Sequence, residues 1–307
     1  MGSDHPLLEL DHLDTLWFQI AGTLCNLRCN HCFISCSPEN HTLSVMTFDQ
    51  FLPYLHEAVQ LGVKEFYFTG GEPFINPDLL RILEATLQVG PATVLTNAIL
   101  LSPQVAKELA SMRDASIYSL ELRVSMDGFS PETNDPIRGP GTFKRIMHGV
   151  KFLLDSGFLP IITAMRSWPI EQDEAKLAGF KTSLTELGYR YPRIKLLPSL
   201  KIGQEAIRDH GYSEHDYLTK SMMVGYDKSQ LMCSNSRIVS TRGVHVCPIL
   251  VDQPDSLLGQ RLSSAKQGFA LSYPACMTCY RYGALCSNAS SAAVNLEKMT
   301  SSPATPR

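Results

Sequence analysis

Nine cysteines fall into two groups, at positions 25, 29, 32 and 36 and at 233, 247, 276, 279 and 286, and no cysteine lies between them. Two tight groups so far apart constrain the chain more than any other feature, because both ends must be built around thiol chemistry. The odd count, and an N-terminus (MGSDHPLLELDH) without a basic stretch followed by an apolar one, argue against a disulfide framework. The expectation is thiolate ligation of metal in a reducing, cytoplasmic setting. No apolar run approaches the ~18 residues of a membrane span, and 27 basic against 30 acidic residues give a net charge of -3. Neither a membrane nor a nucleic acid is therefore an expected partner.

Between the cysteine groups, strand-like and helix-like segments alternate. Strands are predicted over 15–22, 63–69, 92–96, 120–126, 160–165 and 193–197. The intervening helices are predicted over 47–61, from Asn76-Pro77 to a stop at Gly90, over 103–112, over 142–156 and over 171–187. The first carries a Thr47/Gln50 capping box and an apolar face of Phe48, Phe51, Leu52, Leu55 and Val59. Six βα units in series predict an α/β fold, a partial (βα)6 barrel of parallel strands, too short to close as an eight-stranded barrel.

Chemistry in such folds gathers at the C-terminal ends of the strands. Cys25, Cys29 and Cys32 follow the first strand, Gly70-Gly71-Glu72-Pro73 the second and Thr96-Asn97 the third. Ser125 and Asp127 end the fourth, and Arg166 follows the fifth. Three thiols within eight residues can hold three corners of a cubane iron–sulfur cluster and leave one iron open. The alternative is a zinc knuckle, with His31 or Cys36 as fourth ligand. Cys36 otherwise reads as a buried or half-exposed thiol.

CNLRCNHC after the first strand, with GGEP after the second, resembles the radical S-adenosylmethionine (SAM) superfamily over about residues 14–200. The resemblance implies a 4Fe-4S cluster on Cys25, Cys29 and Cys32, with SAM on its open iron and a 5'-deoxyadenosyl radical as the product of reductive cleavage. It further implies SAM contacts from Phe33, Gly70, Gly71, Glu72, Pro73, Asn97, Ser125, Asp127, Arg138, Thr163, Arg166 and Leu197. Ala98 stands where the family's Thr-Asn-Gly has glycine, and His31 where an aromatic residue often lies near adenine. The alternative for 134–139 is a surface turn, and for Ser125–Gly128 a strand ending in an Asp-Gly turn.

Past Ile202 the βα rhythm fades into short, turn-rich segments without a strong helix. A hairpin at Gly243 would bring Cys233 and Cys247 together, and Cys276, Cys279 and Cys286 supply further thiols. The pattern resembles the auxiliary-cluster domains called SPASM and twitch. It implies one auxiliary 4Fe-4S cluster on Cys233, Cys247, Cys276 and Cys279, with Cys286 as substitute ligand; structural zinc is the alternative. The expected organisation is an N-terminal extension (1–13), the barrel (14–200), the auxiliary domain (201–287) and a partly disordered tail (288–307).

The expected activity is hydrogen abstraction from substrate by the SAM-derived radical, with a flavodoxin- or ferredoxin-like reductant. The short segment ahead of Thr15 favours a small-molecule substrate over a ribosomally made peptide or protein, which is the alternative. A reading of another class is a non-catalytic iron–sulfur electron carrier or a zinc-binding protein.

Overall fold

The computed structural model describes residues 4–283, so Cys286 and the tail expected at 288–307 lie outside the described residues. Eleven strands and eight α-helices are present among them: β1 (Leu7–Leu8), β2 (Thr15–Gln19), α1 (Phe48–Gln60), β3 (Glu65–Thr69), α2 (Leu79–Thr86), β4 (Ala92–Thr96), α3 (Pro103–Ala115), β5 (Leu120–Ser125), α4 (Pro131–Arg138), α5 (Thr142–Asp155), β6 (Ile161–Met165), α6 (Asp173–Glu186), β7 (Arg193–Leu197), α7 (Gly203–Arg208), β8 (Ser236–Ser240), β9 (Gly243–His245), β10 (Leu257–Gly259), β11 (Phe269–Ala270) and α8 (Ala275–Tyr282).

Strands β2 to β7 pair in sequence order, all parallel, as the six units require. Their two-residue period divides the core. Leu16 and Phe18 of β2 and Phe66 and Phe68 of β3 point outward under the helices, where Phe18 meets Phe51 of α1 edge-on at 4.8 Å. Trp17 and Tyr67, on the opposite face, stack on each other at 4.3 Å inside the barrel. Each buried aromatic contributes about 1.5–3 kcal/mol. The capping box on α1 forms as the sequence specifies: the Gln50 amide donates to Thr47 Oγ1 and the Thr47 amide to Gln50 Oε1.

Three expectations need correction. The helix after β3 opens at Leu79 rather than at Asn76-Pro77, because Asn76 is buried and its Nδ2 donates to the carbonyls of Ile20 and Met46, tying it to the end of β2. Residues 134–139 are no surface turn: they lie mainly in α4, whose Asn134 and Arg138 are buried. The C-terminal module does carry a helix, α8, and Cys276 and Cys279 lie three residues apart on it, facing the same way. The module also shares the barrel's sheet. Strand β8 pairs in parallel with β2, and the β8–β9 hairpin, turning through Thr241 and Arg242, extends one nine-stranded sheet, order β10-β9-β8-β2-β3-β4-β5-β6-β7. The N-terminal segment belongs to the same assembly, since β1 pairs with β11.

Candidate functional site

A cavity of about 220 Å³ opens at the C-terminal ends of the strands. It brings together Cys25, Cys29, Cys32, Phe33, Gly70, Gly71, Asn97, Ser125, Asp127, Arg138, Thr163 and Leu197 of the expected set, with Cys36, His31 and Trp17 beside them. A larger cavity, about 360 Å³, lies at the opposite ends of the strands between Glu65, Glu121 and Arg193 and is lined by no cysteine. Size therefore does not mark the chemistry; the convergence of thiols does.

The cysteine loop is fixed from both sides. The Cys25 amide donates to the Ser37 carbonyl and the Glu72 amide to the Leu24 carbonyl, so the GGEP segment lies directly against the loop. Gly71 is required there, because a Cβ on it would sit 2.0 Å from Leu24 O. From the far side comes Gly203, with φ +57°, where a Cβ would lie 2.4 Å from Phe33 O; the next amide, of Gln204, donates to the Cys32 carbonyl. That clamp escaped the sequence reading, and its only trace is a glycine opening the segment after β7. Burial pushes the Cys25 thiol up to about 12 and the Cys29 thiol up to about 11. Cys36 hydrogen-bonds to the Cys32 sulfur, which lowers Cys32 and raises Cys36, and the Cys36 amide also donates to that sulfur at 3.3 Å.

Asp127 is 2% exposed and joins two cavity residues. Its Oδ2 lies 2.6 Å from His31 Nε2 and 2.6 Å from Arg138 Nε, while Oδ1 accepts from the Met165 amide. Burial alone would raise its pKa, but Arg138 and His31 hold the carboxyl well below the usual range. With Nε2 committed, His31 Nδ1 is buried without a hydrogen-bond partner, as is Trp17 Nε1. Both residues line the cavity, so polar atoms there await a ligand.

Three expected contacts are placed elsewhere. Glu72 is fully buried behind the cavity wall and braces the loop after β4: Oε1 accepts from Thr96 Oγ1 at 2.6 Å and from the Phe74 amide, and Oε2 accepts from the Asn97 amide at 2.7 Å. Pro73 is buried with it and opens a short 3-10 turn. Arg166 is turned away from the cavity and grips Asp173 at the start of α6 through two hydrogen bonds, beside the Trp168 indole. Asn97 stays in the wall, its side-chain Nδ2 donating to Asn26 Oδ1, and Ala98 takes a left-handed backbone, φ 60°.

A second, small apolar cavity of about 20 Å³ is lined by Cys233, Cys247, Cys276 and Cys279. The hairpin and α8 bring these four thiols together from three segments. Burial, and the proximity of Cys247, push Cys276 up to about 12. Ile249 belongs to the walls of both cavities, so the two thiol sites are neighbours. Among the described residues no three His, Cys, Asp or Glu side chains are close enough to share a single metal ion.

A model of the Radical SAM superfamily matches residues 20–175. The chain belongs to the radical SAM superfamily. Relatives include an AdoMet-dependent heme synthase of Methanosarcina barkeri, 34% identical over 46% of this chain and 39% of that protein. The mycofactocin maturase MftC of Mycobacterium tuberculosis is 28% identical over 57% of this chain and 43% of its own length. The matched regions thus span about two fifths of each relative. Among solved structures, anSMEcpe with bound AdoMet has a TM-score of 0.61 at 16% identity, covering 82% of this chain and 79% of that one. Streptococcus suis SuiB bound to precursor peptide SuiA has a TM-score of 0.61 at 16% identity, covering 84% and 66%. Such coverage is more than the barrel alone supplies, so the likeness of fold extends into the C-terminal module.

The residues present fit the family's cofactors. The thiols of Cys25, Cys29 and Cys32 with that of Cys36, two unpartnered buried polar atoms and the hydroxyls of Ser125 and Thr163 share the first cavity, and four thiols share the second. No helix among the described residues is long and apolar enough to cross a membrane.

Proposed function

We propose that this protein is a radical SAM enzyme that modifies a ribosomally made peptide or protein, with an auxiliary 4Fe-4S cluster beside its active site. The observation that carries the reading is the pair of thiol sites, Cys25, Cys29 and Cys32 in one cavity and Cys233, Cys247, Cys276 and Cys279 in the next, sharing Ile249 as a wall. Cys25, Cys29 and Cys32 would hold the first cluster, which with SAM would supply reductive carbon–sulfur cleavage and so the means of abstracting hydrogen from substrate.

The chain's own residues hold and shield. Asp127 fixes the His31 ring and the Arg138 guanidinium, leaving His31 Nδ1 as the atom presented to SAM. Ser125 and Thr163, paired across β5 and β6, offer hydroxyls at the same mouth. Leu27, Ile34, Leu95 and Leu197 line the remainder and keep water from a reactive centre. A flavodoxin- or ferredoxin-like protein would supply the electron.

The peptide reading displaces the small-molecule expectation. MftC is a maturase, AlbA of Bacillus subtilis is a subtilosin biosynthesis protein, and SuiB was solved with a precursor peptide. The argument from a short N-terminal segment also weakens, because Leu7–Leu8 is part of the C-terminal assembly through its pairing with β11. The heme synthase and the GTP 3',8-cyclases among the relatives keep small molecules as the competing substrate class.

The test is anaerobic reconstitution with iron and sulfide, then SAM, dithionite and deuterated peptides encoded by short reading frames beside the gene. Deuterium in 5'-deoxyadenosine and a changed peptide mass, both lost in Cys29→Ala, are expected. SAM cleavage stimulated by a porphyrin or nucleotide, and by no peptide, would overturn the substrate class.

A further inference from the structure

Among the described residues three arginines are almost wholly buried, and two of them have carboxylates: Arg123 pairs with Glu121, and Arg138 with Asp127. Arg237, on β8, is 0% exposed and has none. Its Nε donates to the Ala265 carbonyl at 2.9 Å, and one terminal nitrogen donates to the carbonyls of Cys233 at 2.7 Å and Ser236 at 2.8 Å. The longer contacts, to Val246 at 3.5 Å and Gln267 at 3.4 Å, are carbonyls too. Carbonyl dipoles satisfy the donors but do not neutralise the charge, and a buried ion without a counter-ion costs several kcal/mol. The ionisable groups that face it are the thiols of Cys233 and Cys247. Its contacts reach the backbone of Cys233 itself and of Val246, the residue before Cys247.

We infer that Arg237 is the counter-charge of the auxiliary cluster, a buried cation that holds the backbone at Cys233 and at Val246, beside Cys247, and raises the cluster's reduction potential. The inference rests on the auxiliary-cluster reading above. A cubane bearing four thiolates is anionic when oxidised and gains a further negative charge when reduced. A nearby fixed cation therefore favours the reduced form more than the oxidised one, with no proton or further reactant involved. The same pairing explains why a charge is tolerated at this position: the thiolate cluster supplies what no side-chain carboxylate does.

The experiment is an anaerobic redox titration followed by electron paramagnetic resonance. It uses the full chain with Cys25, Cys29 and Cys32 all replaced by alanine, so that only the auxiliary cluster contributes. In that background Arg237→Gln keeps donors for the carbonyls and removes the charge, while Arg237→Lys keeps the charge and removes the planar fork. Arg237→Gln is expected to lower the reduced-to-oxidised ratio at fixed potential at least tenfold, a shift of about 59 mV to more negative values for a one-electron couple. Arg237→Lys is expected to stay nearer the parent. Failure of Arg237→Gln to fold, with Arg237→Lys folded and near the parent potential, supports the inference equally. An unchanged potential in Arg237→Gln with the cluster intact, or equal shifts in both variants, assigns Arg237 to carbonyl capping and overturns it. A parent protein that binds iron only through residues 25–32, and so shows no cluster in this background, overturns the auxiliary-cluster reading itself.

Discussion

The Asp127 carboxylate lies 2.6 Å from the His31 ring, and the two residues come from elements 96 positions apart. His31 belongs to the cysteine loop after β2 and Asp127 to the end of β5, so one buried carboxylate sets the orientation of a side chain between Cys29 and Cys32. The same oxygen is 2.6 Å from Arg138 Nε, which brings α4 into the site.

Asp127→Asn should be costly for that reason. Removing one partner of a buried ion pair leaves the other uncompensated, typically about 3–5 kcal/mol. Urea denaturation at pH 7 is the measurement, with a loss of roughly 3 kcal/mol expected and SAM binding weakened at least tenfold. Because the folded-state pKa of Asp127 is depressed, its contribution is fully present above the unfolded value of about 3.9 and disappears as pH falls through the folded one. The mutant should therefore lose less stability than the parent on acidification. A parent-like urea midpoint would refute the ion pair's role.

Glu72 has the opposite sign. Burial pushes its carboxyl up to about 7, against the lowering effect of hydrogen bonds from Thr96, Asn97 and Phe74. Between about 4.3, where the unfolded chain titrates, and about 7 the folded state holds a proton that the unfolded state has released. Stability contributed by this residue therefore falls as pH rises across that window and is level above it. Glu72→Gln should flatten the slope between about pH 4.5 and 7, while costing about 1–3 kcal/mol because its NH2 meets a donor from Thr96 or Asn97. An unchanged slope would place the proton elsewhere.

The barrel was legible because its strands are short apolar runs bounded by helix starts and glycine stops; β4 and β7 fall on the residues that the pattern marks. Helix α4 was not. Its sequence PETNDPIR has two prolines and a polar average that read as a turn. What makes it a helix is capping by Ser130 and Thr133, and Asp135, which accepts from the amides of Gly141 and Phe143. Likewise Glu72 and Arg166 could be picked out as polar residues at strand ends, but whether such a residue faces a ligand or braces a loop depends on partners distant in sequence. Strand β8 carries buried Ser236 and Arg237, so its parallel pairing with β2 left no apolar alternation to read.

Gly203 offers a test of the clamp on the cysteine loop. Alanine there would be strained by the positive φ and would press on Phe33 O and Cys32 O at 2.4 and 2.8 Å. The clash falls on the loop rather than the core, so Gly203→Ala should keep a parent-like circular dichroism spectrum and lose iron. Reconstituted protein is expected to hold roughly half the parent iron, the auxiliary cluster remaining. Parent-like iron content and an unaltered first-cluster spectrum would show that the loop needs no support from α7.

Cys276→Ala probes the other site and its tie to the barrel. The four thiols join the hairpin to α8, so the metal they would share adds to the buried packing of Ala275 and Met277 and to the Tyr226–Tyr280 stack in holding Ala275–Tyr282 in place. The metal's binding energy is then part of the module's folding energy. Iron should fall from about eight to about four per chain, and limited proteolysis should cut between residues 221 and 283 while the fragment containing β2 to β7 survives. The barrel's six parallel strands pair among themselves, so they are expected to persist when the module loosens. If the parent and the variant resist protease equally while iron halves, the module folds without its cluster, and the thiols serve electron transfer alone.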